Sequence, residues 1–459
     1  MNDTRDVAVR LDDAPVRLAE SVQAATRHLA QGDLIDALRT LEDLKNVATA
    51  VQAVAAVNFA RHQRAEQIRR GVPAERVGRG VAEQIALARR ESPHRGAIFL
   101  GVASMLVAEM PFTLHAMAAG VLTEHRAQIL VHETSCVSRE VRAEVDRAVA
   151  GDLVRLSRLG TRRLADLVRV ETYRRDPASV VARIGHAASE RFVAGRPAPD
   201  CMTRLTALLP VAQGVAVLAA LRRAATTAHA TGDPRTQEQV MADELVVRVT
   251  GRAATGAVPV ALHLVMPVDT LLNAGDQPGR VHGHGPIPAE IARRLVVAAP
   301  AVESWVRKLY ATPKGGLVAM ESGSRFFPDG LAEFISLRDE FCRTPYCDAA
   351  IRHIDHIIPA ADDGPTDAAN GQGLCERCNH ARQAPGWTAR RFLRRIEDAP
   401  TAADPDRSAP PGGDEHGHPP TARSDTWGDA MGTWLGDPHE VVITTPTGHH
   451  HLSAASSLS

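Results

Sequence analysis

The residues best suited to chemistry in this 459-residue chain lie between Cys342 and Trp387. Cys342 and Cys347 are spaced C-x4-C, and Cys375 and Cys378 carry the C-x-x-C spacing of a zinc knuckle. Four thiolates so spaced suit a closed tetrahedral Zn2+ site that ties together segments too short to build a core. Residues 351–358 are rich in β-branched side chains and end at Pro359, which predicts a short buried strand. Residues 376–384 are compatible with a helix, stopped by Pro385-Gly386. The unit expected is a strand, a loop, a strand-like turn and a helix, fastened at its base by zinc.

Inside this unit Asp355-His356, Asn370 and Asn379 follow one another. The stretch resembles the HNH endonuclease family, whose ββα-metal fold cuts phosphodiester bonds. A phosphodiester resists hydrolysis because water is a poor nucleophile and the departing oxygen a poor anion. An imidazole with a pKa of about 6.5 can take the proton from water. A divalent cation held by a carboxylate and an amide can neutralise the phosphate and the leaving oxygen. The resemblance implies His356 as general base and Asp355 and Asn379 as ligands of a catalytic Mg2+ or Mn2+. It implies Asn370 as the brace of the loop that holds His356. His380 is an alternative ligand beside Asn379. Neighbours on a regular strand face opposite ways, so Asp355 and His356 flank one phosphate if it lies between them or if the strand bulges.

A zinc unit that binds nucleic acid without cutting it is the competing reading. His353 reads as a strand residue and Trp387 as a packing anchor. Arg352 and Arg382 are candidate phosphate contacts. Residues 388–395 place Arg390, Arg391, Arg394 and Arg395 around what reads as a short helix, a local patch that would position DNA without reading its sequence.

The rest of the chain must position this unit. Formal charge is −1, so no global basic field advertises nucleic acid, and any binding rests on local patches. All but three of the 53 basic residues are arginines, a mark of a GC-rich genome more than of function. Aromatics make up 3%, which argues against an array of base-stacking platforms. Cys136 and Cys201 stand apart and read as small core residues, a usage that fits a reducing compartment. No apolar leader opens the chain, and the longest apolar run, residues 205–221, is broken by Pro210, Gln213 and Gly214. The expectation is a cytoplasmic protein with no membrane partner.

Leu34, Leu38, Leu41, Leu44, Val47, Val51 and Val54 recur at three- and four-residue steps, the stripe of an amphipathic helix ended by Gly71-Val72-Pro73. Helices are expected again over residues 81–90, 95–110, 111–118, 122–132, 140–151 and 163–194. Arg139, Arg142 and Arg147 read as a solvated face, with a DNA-facing surface as the alternative. Residues 205–227 are the most apolar helix candidate and are expected inside the bundle. Further helices are expected over 237–249, 289–299 and 331–343, the last delivering Cys342 to zinc. Residues 258–266, 317–320, 324–327 and 441–445 have strand composition.

The segments GDPRTQEQVMADELVVRVTG, VDTLLNAGDQPGRVHGHGPIPAEIAR and RDEFCRTPYCDAAIRHIDHIIP are similar to the actinobacterial 13E12-repeat family, over roughly residues 30 to 395. That resemblance implies a helical domain of unknown function ahead of a C-terminal HNH unit. The expected fold is therefore mainly α. A flexible arm (1–28) leads into a large helical domain with a small sheet (29–300), then a hairpin and connecting helix (301–337). A small zinc-stapled ββα-metal domain (338–396) and a mostly disordered tail (397–459) follow. The expected function is a metal-dependent DNA endonuclease, with a homo-oligomer through the helical domain as a further expectation.

Overall fold

The computed structural model describes residues 29–251, 264–272, 275–298, 321–322, 326–392 and 439–455, with further positions between 17 and 27. The expected strand at 317–320, the first half of the one at 324–327, the stretch 258–263, and Arg394 and Arg395 lie outside the described residues; Phe326 and Phe327 are described and are not in a strand. The chain divides into two compact units, residues 1–86 with 94–192 and residues 87–93 with 193–459. The protein is mainly α with small sheets, as its periodicity predicts. Among the described residues no single helix is long and apolar enough to cross a membrane.

The first unit is built on α1 (Gln31–Arg69), followed by α2 (Val81–Ala88), α3 (Pro93–Glu109), α4 (Pro111–Ala118), α5 (Glu124–Glu133), α6 (Arg139–Ala150), α7 (Leu153–Ser157), α8 (Thr161–Arg175) and α9 (Pro177–Ala187). Local chemistry explains several starts. The side chains of Thr123, Ser138 and Asp152 accept from the backbone N–H of Arg126, Val141 and Arg155, capping α5, α6 and α7. One core joins Ala50, Leu106, Met110, Met117, Leu122, Leu130, Val145, Val149, Leu156, Leu164 and Val168. A second packs Ala53, Ala56, Val57 and Ala60 of α1 against Val81, Ile85, Phe99 and Leu100.

Two expectations change here. The face that α1 buries is Asn46, Ala50, Ala53, Ala56, Val57 and Ala60, so the leucine and valine stripe is not the core-facing one. Small alanine side chains let neighbouring helices come close, and Asn46 donates to the Gly120 carbonyl at 2.7 Å. Of the arginines on α6, Arg139 and Arg147 are exposed, as a solvated face requires, but Arg142 is not. Arg142 is buried, pairs with Glu109 and donates to the carbonyls of Thr134 and Val137, both at 3.1 Å. Arg139 donates to the Ala108 carbonyl at 2.7 Å, and Arg147 lies over the Phe112 ring at 5.5 Å.

The second unit opens with a two-stranded hairpin, β1 (Phe192–Ala198) and β2 (Met202–Leu208), and the helices α10 (Val211–Ala230) and α11 (Gln237–Thr250). The expected buried helix over 205–227 is thus part strand and part helix, divided where Pro210 in extended backbone caps α10. It is also outside the core, since α10 buries only Leu221 and Ala225. Cys201 is exposed in the β1–β2 turn, not buried. α11 opens on a reciprocal capping box between Thr236 and Gln239.

Next come β3 (Leu264–Val265), α12 (Val268–Leu272), β4 (Gly279–Val281), β5 (Gly285–Ile287) and α13 (Ala289–Ala298). Strands β3, β4 and β5 form one antiparallel sheet in that order. The region that carries the chemistry contains β6 (Glu321–Ser322), α14 (Asp329–Asp339), β7 (His353–His356), β8 (Thr366–Asp367), β9 (Gly371–Leu374) and α15 (Glu376–Arg382). β10 (Thr388–Phe392), β11 (Glu440–Thr444) and β12 (His450–Ala454) follow as one antiparallel sheet. Residues 388–392 are therefore a strand, where a helix was expected. Thr388 to Phe392 pair residue for residue with Thr444 to Glu440, a partner far downstream that overrides local propensity. Val441 and Ile443 point into a core with Ile357, Ala384 and Trp387, so Trp387 is the packing anchor its position suggests.

Candidate active site and zinc cluster

The helix α14 ends at Asp339 because Glu340 turns to a positive φ of 57°. That break replaces the expected helical run to 343 and aims the chain at the sulfur cluster. The side chain of Asp339 is wholly buried; it accepts from Gly373 N–H at 2.7 Å and pairs with Arg338. Arg338 in turn donates to the carbonyls of Ala368 and Gly371. Arg280 of β4 closes a two-pronged pair on the buried Glu340 carboxylate. Each buried charge at this junction is thus held by an opposite charge or by backbone.

Cys342, Cys347, Cys375 and Cys378 are all buried, and their sulfurs lie within 4.8 Å of one another. Cys347 Sγ is 3.7 Å from Cys375 Sγ and 3.6 Å from Cys378 Sγ. A tetrahedron with Zn–S bonds of about 2.3 Å has sulfur–sulfur edges of about 3.8 Å, whereas a disulfide needs about 2.0 Å. The cluster therefore fits a metal and not a pair of disulfides. Cys375 caps α15, its Sγ accepting from Cys378 N–H at 3.4 Å. Crowding sets the thiols against one another. Hydrogen bonding from Cys342 pulls the Cys375 thiol down, while Cys342 pushes those of Cys347 and Cys378 up. Several thiolates cannot coexist at this spacing without a cation among them, and a bound Zn2+ would supply that charge.

β7 and β9 form a regular antiparallel pair, with Asp355 opposite Gln372 and His356 opposite Gly371. No bulge rotates Asp355 and His356 to one side, so the two side chains leave opposite faces of β7. His356 Nε2 is hydrogen-bonded to Thr366 Oγ1 at 2.9 Å, and the Phe327 ring leans on the imidazole with centroids 4.5 Å apart. Burial pushes the His356 pKa below its ordinary value, outweighing the charges of Asp355 and Asp367 that raise it. The ring is therefore neutral at pH 7 and able to accept a proton.

Asp355 faces α15. Arg382 Nη1 donates to Asp355 Oδ2 and to the His356 carbonyl, both at 3.1 Å, and Nη2 donates to the Ile357 carbonyl at 3.0 Å. Arg382 is thus turned inward, with its donors spent on the strand. Asn379 precedes Arg382 by one turn and shares its face of α15, which brings the amide to the side of the helix that meets Asp355. The Asp355 side chain retains 37% exposure, and Asn379 is half-buried. A carboxylate and an amide that solvent reaches are an oxygen donor set fit for Mg2+ or Mn2+. His380 is exposed on the same short helix, and His353 is exposed at the start of β7.

Asn370 is buried and makes three side-chain bonds. Its Oδ1 accepts from Ile358 N–H at 2.9 Å, and its Nδ2 donates to Ile358 and Pro365 carbonyls at 3.0 and 2.8 Å. These bonds close the loop between the two strands. Gly364 tightens it further, since a Cβ there would run into the Ile358 carbonyl oxygen. Arg352, Arg390 and Arg391 are exposed.

Several residues at the site carry no motif signal. Thr366 and Phe327 hold the imidazole. His439 reaches in from the last described segment, its Nε2 bonded to the Ala369 carbonyl at 2.8 Å. Burial depresses its pKa to about 3, aided by the charge of Arg338. Arg343, also buried, donates from Nη2 to the carbonyls of His439 and Ser453, the latter at 3.1 Å. Only contact in three dimensions marks these four.

Residues 38–339 match the family model of a domain of unknown function (DUF222), and residues 342–384 match that of the HNH endonuclease. No curated protein and no solved structure matches the chain. The order of the two domains is the one that the sequence resemblance implies.

Proposed function

The chain belongs to the DUF222 family and carries an HNH endonuclease domain behind that region, and from this premise we propose that it is a metal-dependent endonuclease that hydrolyses DNA phosphodiester bonds. The observation that carries the reading is a neutral, ring-clamped His356 beside an accessible Asp355, on a strand pair closed by Asn370 and seated next to a four-sulfur cluster. Thr366 occupies Nε2, which leaves Nδ1 as the nitrogen that takes the proton from the attacking water. Phe327 limits rotation of the ring, so the base holds one aim. Asn370 fixes the loop that carries the Thr366 side of this clamp.

Asp355 and Asn379, or His380 in place of Asn379, would hold the catalytic Mg2+ or Mn2+. When bound, that ion supplies the charge that offsets the phosphate and the leaving oxygen. Arg382 holds Asp355 Oδ2, so Oδ1 would be the oxygen left for the ion. The phosphate would lie across β7, since Asp355 and His356 leave opposite faces. Arg352, Arg390 and Arg391 would touch flanking phosphates, which positions a duplex without reading its sequence. Cys342, Cys347, Cys375 and Cys378 would hold a Zn2+ that ties β9 to α15, away from the reacting groups.

One observation favours a second reading, a zinc-holding DNA-binding module that does not cut. Asp355 already spends one carboxylate oxygen on Arg382. The two readings part in one experiment. Purified chain is incubated with supercoiled plasmid and Mg2+ or Mn2+, beside Asp355→Ala and Asn379→Ala. Endonuclease action predicts nicking that needs the added ion and falls in both variants. Salt-dependent binding with no cleavage under either ion would establish the second reading instead.

A further inference from the structure

One carboxylate at the candidate site has two cations to serve, Arg382 and the divalent ion. Arg382 leaves the last turn of α15 with its side chain only 10% exposed. Its Nη1 bridges Asp355 Oδ2 and the His356 carbonyl, both at 3.1 Å, while Nη2 reaches the Ile357 carbonyl at 3.0 Å. One planar group thus holds a candidate ion ligand, the backbone of the candidate base and the residue after it. Asp355 Oδ1 makes no hydrogen bond among the described residues. A guanidinium keeps its charge at any working pH, so the Asp355–Arg382 pair carries no net charge. Asn379 adds an oxygen but no charge. Oxygen sites hold divalent cations in proportion to the charge of their ligands, and Mg2+ commonly draws the remainder from substrate phosphate.

We infer that Arg382 makes ion binding at Asp355 conditional on DNA: the free chain holds Mg2+ or Mn2+ weakly, and a duplex phosphate supplies the negative charge that completes the site. The inference rests on the reading of Asp355 as an ion ligand. Arg382 acts through Asp355 and is a positioning residue. Bracing the carbonyls of His356 and Ile357 needs donors but no charge. The guanidinium sets a full positive charge on the one carboxylate of the ligand set as well, which disfavours a second cation there. It also holds Oδ2, so a single oxygen of Asp355 is left to face the phosphate and the ion together. Linkage is reciprocal, so the ion must raise duplex affinity by the factor by which the duplex raises ion affinity. That sign is opposite to the usual one, because added salt competes with a protein for phosphates and weakens its binding.

The test uses the full chain, loaded with zinc, in the His356→Ala background so that a short duplex stays whole. Mn2+ affinity of the free chain is read from the paramagnetic resonance of unbound Mn2+. Duplex affinity is read by fluorescence anisotropy with and without Mn2+ at constant ionic strength. Mn2+ should raise duplex affinity at least roughly tenfold, and Asp355→Ala should remove that gain. Arg382→Gln keeps donors but not charge; it should tighten Mn2+ binding to the free chain at least roughly tenfold and shrink the duplex gain. Arg382→Lys keeps the charge and should leave free-chain Mn2+ binding within about threefold of the parent. A merely structural Arg382 would make the two variants alike, with Mn2+ binding weakened in both, and that result overturns the inference. Zinc content and circular dichroism show whether each variant is folded. If neither folds, the parent chain decides alone, since duplex affinity that does not rise with Mn2+ overturns the inference. Plasmid nicking by the unsubstituted chain without this coupling would spare the endonuclease reading and remove the inference, whereas coupling without nicking would do the reverse.

Discussion

Replacing Asn370 probes the loop closure through its three side-chain hydrogen bonds. In Asn370→Ala the Ile358 N–H, the Ile358 carbonyl and the Pro365 carbonyl all lose their partner. At about 1 kcal/mol for each bond the closed loop is weakened by about 3 kcal/mol, which makes its open form roughly a hundredfold more populated. Asn370→Asp has almost the same shape but a harsher effect. Its carboxylate still accepts from Ile358 N–H, yet sets a second oxygen against two carbonyls. Amide hydrogen exchange reads this directly at Ile358, whose acceptor is Asn370, and at Gly364, which donates to the Pro359 carbonyl at 3.1 Å. Exchange at both should quicken by about a hundredfold in Asn370→Ala and by more in Asn370→Asp. Plasmid nicking should fall in the same order, because Thr366 follows the loop and holds His356. Exchange within twofold of the unsubstituted chain in Asn370→Asp would refute the argument that the loop is closed by this amide.

Other expectations follow from the same geometry. One Zn2+ per chain should be found by elemental analysis, and Cys378→Ser should lose most of it and melt the region around β9 and α15, since structural zinc contributes about 10–16 kcal/mol to small sites. The folded state holds His439 neutral with a pKa of about 3, against about 6.5 when unfolded. Its contribution is thus complete above pH 6.5 and declines as pH falls toward 3, by about 1.4 kcal/mol per unit, because the unfolded chain binds the extra proton. Exchange at Val441 to Ile443 followed from pH 7 to 5 should show this loss, and His439→Gln, which keeps a donor for the Ala369 carbonyl but does not titrate, should flatten it.

The sulfur cluster and the strand–loop–helix order were legible because their signals are local: C-x-x-C fixes a turn, and the run Ile351 to Ile358 marks a strand, although the strand formed is only His353–His356 and is exposed to half-buried instead of buried. Asn370 could be placed as a loop brace by resemblance, and its three bonds explain why an amide, with both donors and an acceptor, stands there. The identity of β10 was not legible, since Thr388 to Phe392 become a strand only by pairing with Glu440 to Thr444 across residues 393–438. For the same reason Arg343, Thr366 and His439 carry no sign of their roles. The stripe on α1 misleads in another way. Periodicity shows that a helix has an apolar face but not which partner covers it, and close packing selected the alanine face for the domain itself. Arg382 shows the limit of reading charge, since a guanidinium beside a nuclease motif serves its own backbone instead of a phosphate.

Everything proposed for the reaction depends on the imidazole of His356, so the most direct measurement is the single-turnover nicking rate of His356→Ala at zinc content equal to that of the unsubstituted chain. With saturating Mg2+ or Mn2+ the rate should fall by about 10²–10⁴, the loss expected when a positioned general base is removed. DNA binding and the cysteine cluster should stay intact. A variant that nicks plasmid at an undiminished rate would contradict the account.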